Sequence, residues 1–167
     1  LPLNPCSKYV LFSDCHRGSG TSNDNFLKNQ NLYYAALQHY FIFGYTYIEL
    51  GDGDELWENR SMKQIIEAHE DVFSLLSRFH RCGRLYMLYG NHDMVKKDRH
   101  YTVKNCSTYP HCCGNSPHLN NRPLWPEIRF YPGIILENTA SPGAGDIYLT
   151  HGHQADLFNS TLWRFTR

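Results

Sequence analysis

The sequence predicts an α/β fold with a parallel sheet, because short apolar strands alternate along the chain with longer segments of helical periodicity. Apolar runs at residues 9–12, 45–50 and 84–89 each end in a polar or glycine-containing loop, which is typical of strands that finish at one edge of a sheet. Apolar residues between these runs recur at helical spacing. An order of strand, helix, strand, helix, strand requires crossover connections, and such connections favour parallel strands.

The two segments between these strands are predicted to be helices. The first covers residues 25–43 and begins behind Asp24, whose side chain is a suitable N-cap. The second begins at Ser61, which can form a capping box with Gln64, and it ends near Gly83. Apolar residues fall on one face of each segment, which indicates that each helix buries one side.

The chain changes character after the third strand. Residues 100–126 are rich in Asn, Pro, Cys and His and lack periodicity, so they are predicted to form a long insertion, of a kind that is usually functional or mobile. Strands are predicted to resume at residues 128–130, 133–137 and 147–150. A last helix is expected over residues 155–167.

Composition and charge are those of a single packed domain over residues 1–167. Apolar residues make up 41% and charged residues 19%, which argues against disorder. The 16 basic residues balance 16 acidic ones, whereas a nucleic-acid-binding protein usually shows a basic excess, so nucleic acid is not the expected partner. No transmembrane segment is expected, since no apolar run could span a bilayer, and without a signal-peptide pattern a cytoplasmic location is predicted.

The six cysteines show neither even spacing nor a Cys-x-x-Cys pair, which favours a reduced intracellular chain. Three of them lie in the insertion beside two histidines, and this group could in principle bind zinc. Adjacent cysteines are awkward ligands for one tetrahedral site, so the plainer interpretation is that they are small side chains of an insertion. The group consists of Cys106, His111, Cys112, Cys113 and His118.

Four polar clusters follow predicted strands, and each offers oxygen or nitrogen ligands for a divalent cation. Any one of them alone would be interpreted as a polar turn. Because open α/β sheets bind ligands at the carboxyl ends of their strands, the ordered set predicts one metal site at that edge. In chain order the clusters are Asp14-Cys15-His16, Gly51-Asp52-Gly53-Asp54-Glu55, Gly90-Asn91-His92-Asp93 and His151-Gly152-His153.

Two side chains in these clusters are suited to particular tasks. The carboxylate of Asp52 has two oxygens and can bridge two metal ions. His92 adjoins Asp93, and an imidazole oriented by a carboxylate is the arrangement that suits a general acid. These properties indicate a metal site with a proton donor beside it.

The ordered clusters resemble the signatures of the calcineurin-like metallophosphoesterases, which run Asp-x-His, Gly-Asp-x-x-Asp, Gly-Asn-His-Asp/Glu, a later His and a final Gly-His-x-His. The similarity covers roughly residues 8 to 156, and residues 51–57 are most similar to the branch that contains bacterial UDP-diacylglucosamine pyrophosphohydrolases. The resemblance implies an α/β fold in which a β-sandwich is flanked by helices in four αββα layers.

The resemblance also implies a metal-binding role for each matching residue. Asp14 and His16 would hold the first of two divalent ions, and Asp52 would bridge both. Asn91 would bind the second ion together with His151. A ligand set of this kind suits Mn, Fe or Zn.

The remaining matching residues would act on the substrate. By the resemblance, His92 would not bind metal but would protonate the leaving oxygen or stabilise transition-state charge, with Asp93 in support. Arg17 and Arg60 are weaker candidates for contacts with phosphate, since exposed arginines are usually just solvated.

Two departures from the family pattern stand out. Glu55 occupies the position where the family usually has its second Asp, a change also found in the branch named above. The final Gly-His-x-His is altered, because Ala155 stands where its last His would fall. Either His151 and His153 form the terminal pair in altered form, or His151 is the penultimate ligand and the terminal pair lies beyond Arg167, leaving the fold C-terminally incomplete. A strand leading into His-Gly-His and then a helix favours the second alternative.

The expected reaction is hydrolysis of a phosphate ester or phosphoanhydride. Two divalent ions about 3.5–4 Å apart would lower the pKa of a bridging water, and the resulting hydroxide would attack phosphorus in line with the leaving group. His92 would then assist departure of the leaving oxygen. The branch resemblance favours a phosphorylated small molecule or a nucleotide-linked or lipid-linked pyrophosphate as the substrate.

Two alternatives remain open from the sequence. A phosphodiesterase or nuclease could use the same site, although the neutral net charge counts against it. A non-catalytic binding module could use the same scaffold, but it would be expected to lose His92 or several ligands, and both Asp14-x-His16 and Asn91-His92 are intact.

Overall fold

The computed structural model describes residues 1–22, 24–111, 120–141, 143 and 145–155, and within these ranges the chain forms nine strands and four α-helices. Short 3-10 turns cover Leu27–Asn29, Met94–Lys97 and Gly152–Ala155. The strands are β1 Pro2–Leu3, β2 Tyr9–Phe12, β3 Thr46–Glu49, β4 Leu85–Leu88, β5 Thr108–His111, β6 Asn120–Pro123, β7 Phe130–Tyr131, β8 Gly133–Asn138 and β9 Ile147–Thr150. The helices are α1 Gln30–Ile42, α2 Met62–Ala68, α3 Glu70–Arg81 and α4 Arg99–Cys106.

The main sheet is parallel, as the strand and helix order predicts. Strands β2, β3, β4 and β7 hydrogen-bond in that order, and every neighbouring pair runs in the same direction. Helix α1 connects β2 to β3, and α2 with α3 connects β3 to β4. Successive crossovers of one hand between neighbouring strands place these helices on the same face of the sheet, where α1 contacts α3 and β3. The prediction of an α/β fold with parallel strands is confirmed.

A second sheet covers the other face of the parallel sheet. Its order is β1-β8-β9, with β1 parallel and β9 antiparallel to β8. Side chains of a strand alternate between its two faces, so Ile48 and Leu88 point away from the helices and contact Ile134 and Leu136 of β8. The described residues therefore form three layers, namely helices, a parallel sheet and a mixed sheet.

The main core fills the space between the helices and the parallel sheet. Helix α3 contributes most of one side, because its apolar residues repeat at helical spacing while its outer face is charged. The other side of this core consists of residues of β3 and β4 whose side chains point towards the helices. They alternate along each strand with the residues that face the second sheet. Fully buried members include Leu37, Tyr47, Phe73, Phe79, Met87 and Trp125.

The first predicted helix begins later than expected. The chain forms a 3-10 turn at Leu27–Asn29 before α1, and Asp24 does not cap α1. The Asp24 carboxylate instead accepts hydrogen bonds from the backbone N–H groups of Gly20 and Phe26. A short acidic side chain often closes a turn on its own backbone in this way, so this cap prediction was wrong for a local reason.

The second predicted helix is divided at His69 into α2 and α3. Its start is as expected, because Ser61 Oγ accepts a hydrogen bond from Gln64 N–H at 3.3 Å. At the break, the imidazole of His69 is buried and lies 2.7 Å from Asp24 Oδ2 and 2.8 Å from Gln30 Oε1. The non-helical backbone of His69 (φ −126°, ψ 38°) accompanies these buried hydrogen bonds.

The predicted insertion contains more regular structure than its sequence indicates. Helix α4 begins where Asp98 Oδ1 accepts the N–H of His100, and β5 and β6 form an antiparallel hairpin. Cys112, Cys113 and His118 of the possible zinc-binding group lie outside the described residues. Residues 156–167 of the predicted last helix also lie outside them. None of the described helices has the length and apolar character required to cross a membrane.

The contact between the two sheets can be tested with adjacent residues of β8. Ile134→Ala removes a side chain that is buried between the sheets, and we expect it to lower the free energy of unfolding by about 2–5 kcal/mol. Ile135→Ala changes the next residue, which faces outward, and should stay within about 0.5 kcal/mol of the parent chain. Urea denaturation measures both, and equal effects would contradict the assignment of faces.

Candidate metal centre

The four predicted site loops all follow strands. Asp14 follows β2, Asp52 follows β3, Asn91 follows β4 and His151 follows β9. The first three loops lie at the carboxyl edge of the parallel sheet, and β9 brings His151 to them from the second sheet. Parallel pairing therefore places ligands that are far apart in the sequence at one edge.

Four donor atoms meet at this edge. His16 Nε2 lies 3.8 Å from Asp14 Oδ1 and 4.0 Å from Asp52 Oδ2. His151 Nε2 lies 3.6 Å from Asp14 Oδ1 and 3.5 Å from Asp52 Oδ2. Ligand atoms about 2.1 Å from a tetrahedral cation are about 3.4 Å from each other. These oxygen–nitrogen distances therefore suit a divalent cation after a small contraction, although His16 and His151 belong to separate groups of potential ligands.

Asp52 belongs to two groups of potential ligands. One group joins it to Asp14 and His151, and the other joins it to His16 and His92, with all donor atoms of a group within 4.8 Å of one another. Asp52 is almost fully buried, and burial together with the nearby charge of Asp93 raises its pKa. A bound cation would favour the charged carboxylate and oppose that effect.

The backbone of the site loops has an uncommon conformation. Asp14, His16 and Asp52 all have positive φ, at 55°, 48° and 50°. Positive φ in residues other than glycine is uncommon and tends to occur at functional sites. The loop after β2 stays paired with the loop after β3, because His16 N–H donates to Asp52 O at 2.9 Å and Arg17 N–H to Gly53 O at 3.0 Å.

Two glycines allow the loops to approach each other closely. A Cβ added at Gly51 would lie 2.8 Å from the ring of His151, in addition to requiring a strained φ of 109°. A Cβ added at Gly90 would collide with the carboxylate of Asp52. These glycines are needed because His151 and Asp52 from neighbouring loops occupy the space in which their side chains would lie.

Glu55 holds both imidazoles of the second group. Its Oε2 accepts hydrogen bonds from Nδ1 of His16 at 3.0 Å and from Nδ1 of His92 at 2.8 Å. These hydrogen bonds raise the pKa of both His16 and His92. Burial alone would raise the pKa of Glu55, but the hydrogen bonds from both imidazoles outweigh it and hold that pKa far below its usual range. Because Nδ1 carries the proton, Nε2 of each ring is available for other partners.

Asp93 does not support His92, so that prediction was wrong. The Asp93 side chain is fully buried, where it accepts the N–H of Gly90 at 2.7 Å and pairs with Lys96 Nζ at 2.7 Å. Glu55 takes its place beside His92. The residue that orients His92 is thus 37 positions away in the sequence, and a motif of adjacent letters could not reveal it.

The loop after β4 orients the carboxylate of Asp52, which is the candidate bridge between two metal ions. The backbone N–H of His92 donates to Asp52 Oδ1 at 2.8 Å, which leaves Oδ2 facing His16 and His151. Asn91 lies in the same loop and is half-buried. Its role as a ligand, which the resemblance implies, stays a prediction.

His153 lies behind His151, outside both groups of potential ligands identified among the described residues. The Nδ1 atoms of the two rings are 2.8 Å apart. Burial and the neighbouring His151 lower the pKa of His153, and the two rings share a hydrogen bond between their Nδ1 atoms. That hydrogen bond would leave Nε2 of His151 directed at Asp14 and Asp52. The structure thus favours an orienting role for His153 over the predicted role of ligand.

Arg17 is not a phosphate contact, because it is fully buried. Its Nε donates to Asp54 Oδ1 at 2.6 Å, and its two terminal nitrogens donate to Glu49 at 2.8 Å each. Every nitrogen is therefore engaged below the site. Arg60 is exposed in the loop before α2, and its contact with phosphate stays a prediction.

A buried network of charges lies beneath the metal-site loops. Lys96 Nζ donates to Asp54 Oδ2 at 2.6 Å and to Asp93 Oδ2 at 2.7 Å, and all three side chains are fully buried. Burial would raise the pKa of Asp54, but Arg17 and Lys96 lower it to about 2. The sequence gives little indication that Lys96 is buried, because this residue follows Met94 and Val95 but precedes the charged residues 97–99.

Comparisons with protein-family models, with curated proteins and with solved structures found no match for this chain.

The buried network predicts a specific loss of stability in acid. The pKa of Asp54 is about 2 in the folded chain against 3.8 for a free aspartate, so the folded state binds fewer protons between these values. The ionised Asp54 carboxylate therefore stabilises the fold above about pH 5. This stabilisation is lost as the pH falls from 3.8 towards about 2. Asp54→Asn should be less stable than the parent at pH 7, and the difference should narrow towards pH 3.

Urea denaturation of both proteins at a series of pH values measures this difference. Asp98→Asn, a change at the exposed N-cap of α4, serves as the matched control for loss of one carboxylate. A difference between the Asp54 variant and its parent that is the same at every pH would rule out the ion network as its source.

Proposed function

We propose that this chain is a metal-dependent hydrolase of phosphate esters or phosphoanhydrides, of the calcineurin-like type. The observation that supports it most is the position of Asp52, a buried carboxylate shared by two groups of potential ligands. Its Oδ2 faces Nε2 of both His16 and His151, so one carboxylate oxygen lies near proposed ligands of the two ions.

The ligand atoms present suit a pair of divalent ions. Asp14, His16, Asp52 and His151 offer two kinds of donor, carboxylate oxygen and imidazole nitrogen, and Asn91 would add an amide oxygen. Mn, Fe and Zn all accept such ligands. When bound, the two ions would lower the pKa of water and neutralise charge on phosphoryl oxygens.

His92 is proposed to donate a proton to the leaving oxygen. Its side chain is 31% exposed, so a substrate can reach it. Glu55 fixes its tautomer and raises its pKa, which increases the fraction of imidazolium near neutral pH. Backbone N–H groups of Trp57 and Glu58 donate to Glu55 Oε1 and hold the carboxylate in place.

The proposed substrate is a nucleotide-linked or lipid-linked pyrophosphate, as the family branch implies. The half-buried ring of Trp57 lies 5.1 Å from the ring of His92 and forms part of the rim of the site. A flat apolar side chain beside a proton donor can contact a leaving group larger than water.

The metal requirement can be tested with Asp52→Asn. The parent chain, loaded with Mn²⁺ and freed of excess metal, should retain bound metal and hydrolyse bis(p-nitrophenyl) phosphate, and a chelator should abolish that activity. We expect Asp52→Asn to lose both properties, because an amide cannot bridge two cations. Asp98→Asn should keep both. Metal retention without turnover in the parent would instead indicate a binding module.

The proposed acid can be separated from the ligands. His92→Ala should lower kcat by about 10²-fold or more, and Glu55→Gln by about 10–100-fold, because the first removes the proton donor and the second only its orienting partner. Metal content of His92→Ala, measured by elemental analysis, should equal that of the parent. Unchanged kcat in His92→Ala would exclude His92 as the acid, and loss of metal would make it a ligand.

A further inference from the structure

The outer face of α1 exposes large apolar side chains to water. Leu32 is 75% exposed, Ile42 69% and the following residue Phe43 55%, while Tyr33 and Leu37 on the opposite side are buried. A surface helix normally places charged residues opposite its buried face, whereas a helix that is apolar on all sides is normally covered on all sides. The outer face of α1 also exposes Asn31, Gln38 and His39, but none of the described residues covers its large apolar side chains.

The contrast with α3 shows that this is particular to α1. The outer face of α3 carries Glu70, Asp71 and Arg78, as expected for a helix in contact with water. Helix α1 contains no charged residue, and residues 25–48 contain no Asp or Glu. Residues 25–48 thus contribute no carboxylate that would repel an anionic surface.

Cationic groups lie at both ends of this apolar face. At its carboxyl end, Lys8 Nζ donates to Phe43 O at 3.2 Å, and Arg84 donates to Tyr45 O at 2.7 Å. At its amino end, Lys28 is exposed in the turn before α1. An uncharged strip that carries large apolar side chains between basic ends fits a helix that lies in the headgroup region of a membrane.

The outline of this helix alone is smaller than the footprint of a stable dimer interface. A helix of 13 residues is about 20 Å long and about 10 Å wide, which gives a face of about 200 Å². A stable protein–protein interface buries about 800 Å² on each partner. A lipid surface has no such threshold, because each inserted side chain contributes separately to partitioning.

We propose that the outer face of α1 binds the surface of an anionic lipid bilayer. The helix lies parallel to the surface, with Leu32, Ile42 and Phe43 among the headgroups and upper acyl chains. Lys8 and Lys28 contact lipid phosphates at the two ends. This inference concerns a surface formed by α1 and its flanks, and it does not rest on the proposed hydrolase activity.

Co-sedimentation of the full chain with vesicles tests the proposal. The parent should bind vesicles of phosphatidylcholine and phosphatidylglycerol more strongly than vesicles of phosphatidylcholine alone. Leu32→Ser combined with Ile42→Ser should reduce partitioning by at least about tenfold, because two large apolar side chains are removed. Val103→Ser, which changes an equally apolar side chain that is 52% exposed on α4, should bind like the parent.

A second variant tests the charges. Lys8→Gln with Lys28→Gln should reduce binding to anionic vesicles only, and added salt should weaken parent binding in the same way. Circular dichroism confirms that each variant is folded. The proposal is overturned if the parent does not bind vesicles, or if the Leu32 and Ile42 variant binds as well as the parent. It is equally overturned if light scattering finds a dimer that this variant dissociates, because a second copy would then occupy the face.

Discussion

The arrangement of the metal-site loops depends on a buried network of charges beneath them. Arg17 directly follows the candidate ligand His16, Asp54 lies two residues after Asp52, and Lys96 joins Asp54 to Asp93. Breaking such a network leaves an uncompensated buried charge, which is costly in free energy. Each of three loops thus places one side chain in the site and another in the network, so the ligands cannot move independently.

Above this network, the imidazoles are oriented by partners from other loops. Glu55 accepts from both His16 and His92, and His153 lies against the Nδ1 atom of His151. The Glu55 carboxylate requires a proton on Nδ1 of His16 and of His92, so Nε2 of each ring is available to a cation or a substrate. The proposed chemistry follows from this control of tautomers as much as from the identity of the ligands.

The outer surface of α1 and the metal site depend on different features of the chain. The site needs buried charges that are fully paired, whereas α1 shows apolar side chains that the described residues leave uncovered. Helix α1 nevertheless contributes to both, because Tyr33 on its inner face donates to the hydroxyl of Tyr47 or accepts from it, next to Glu49 and Arg17. One helix thus supports the site on one side and presents the proposed lipid-binding surface on the other.

The sequence by itself determined the alternation of strands and helices and the ligand types at the strand ends, because periodicity and turn chemistry act over a few residues. Only the tertiary structure decided that Arg17 is buried, that Glu55 rather than Asp93 supports His92, and that the second helix divides at His69. These outcomes depend on contacts between residues 37 or more positions apart, or on positive φ values that turn a side chain to the other face of a loop. Neither a long-range contact nor a positive φ value can be read from a local pattern of residue types.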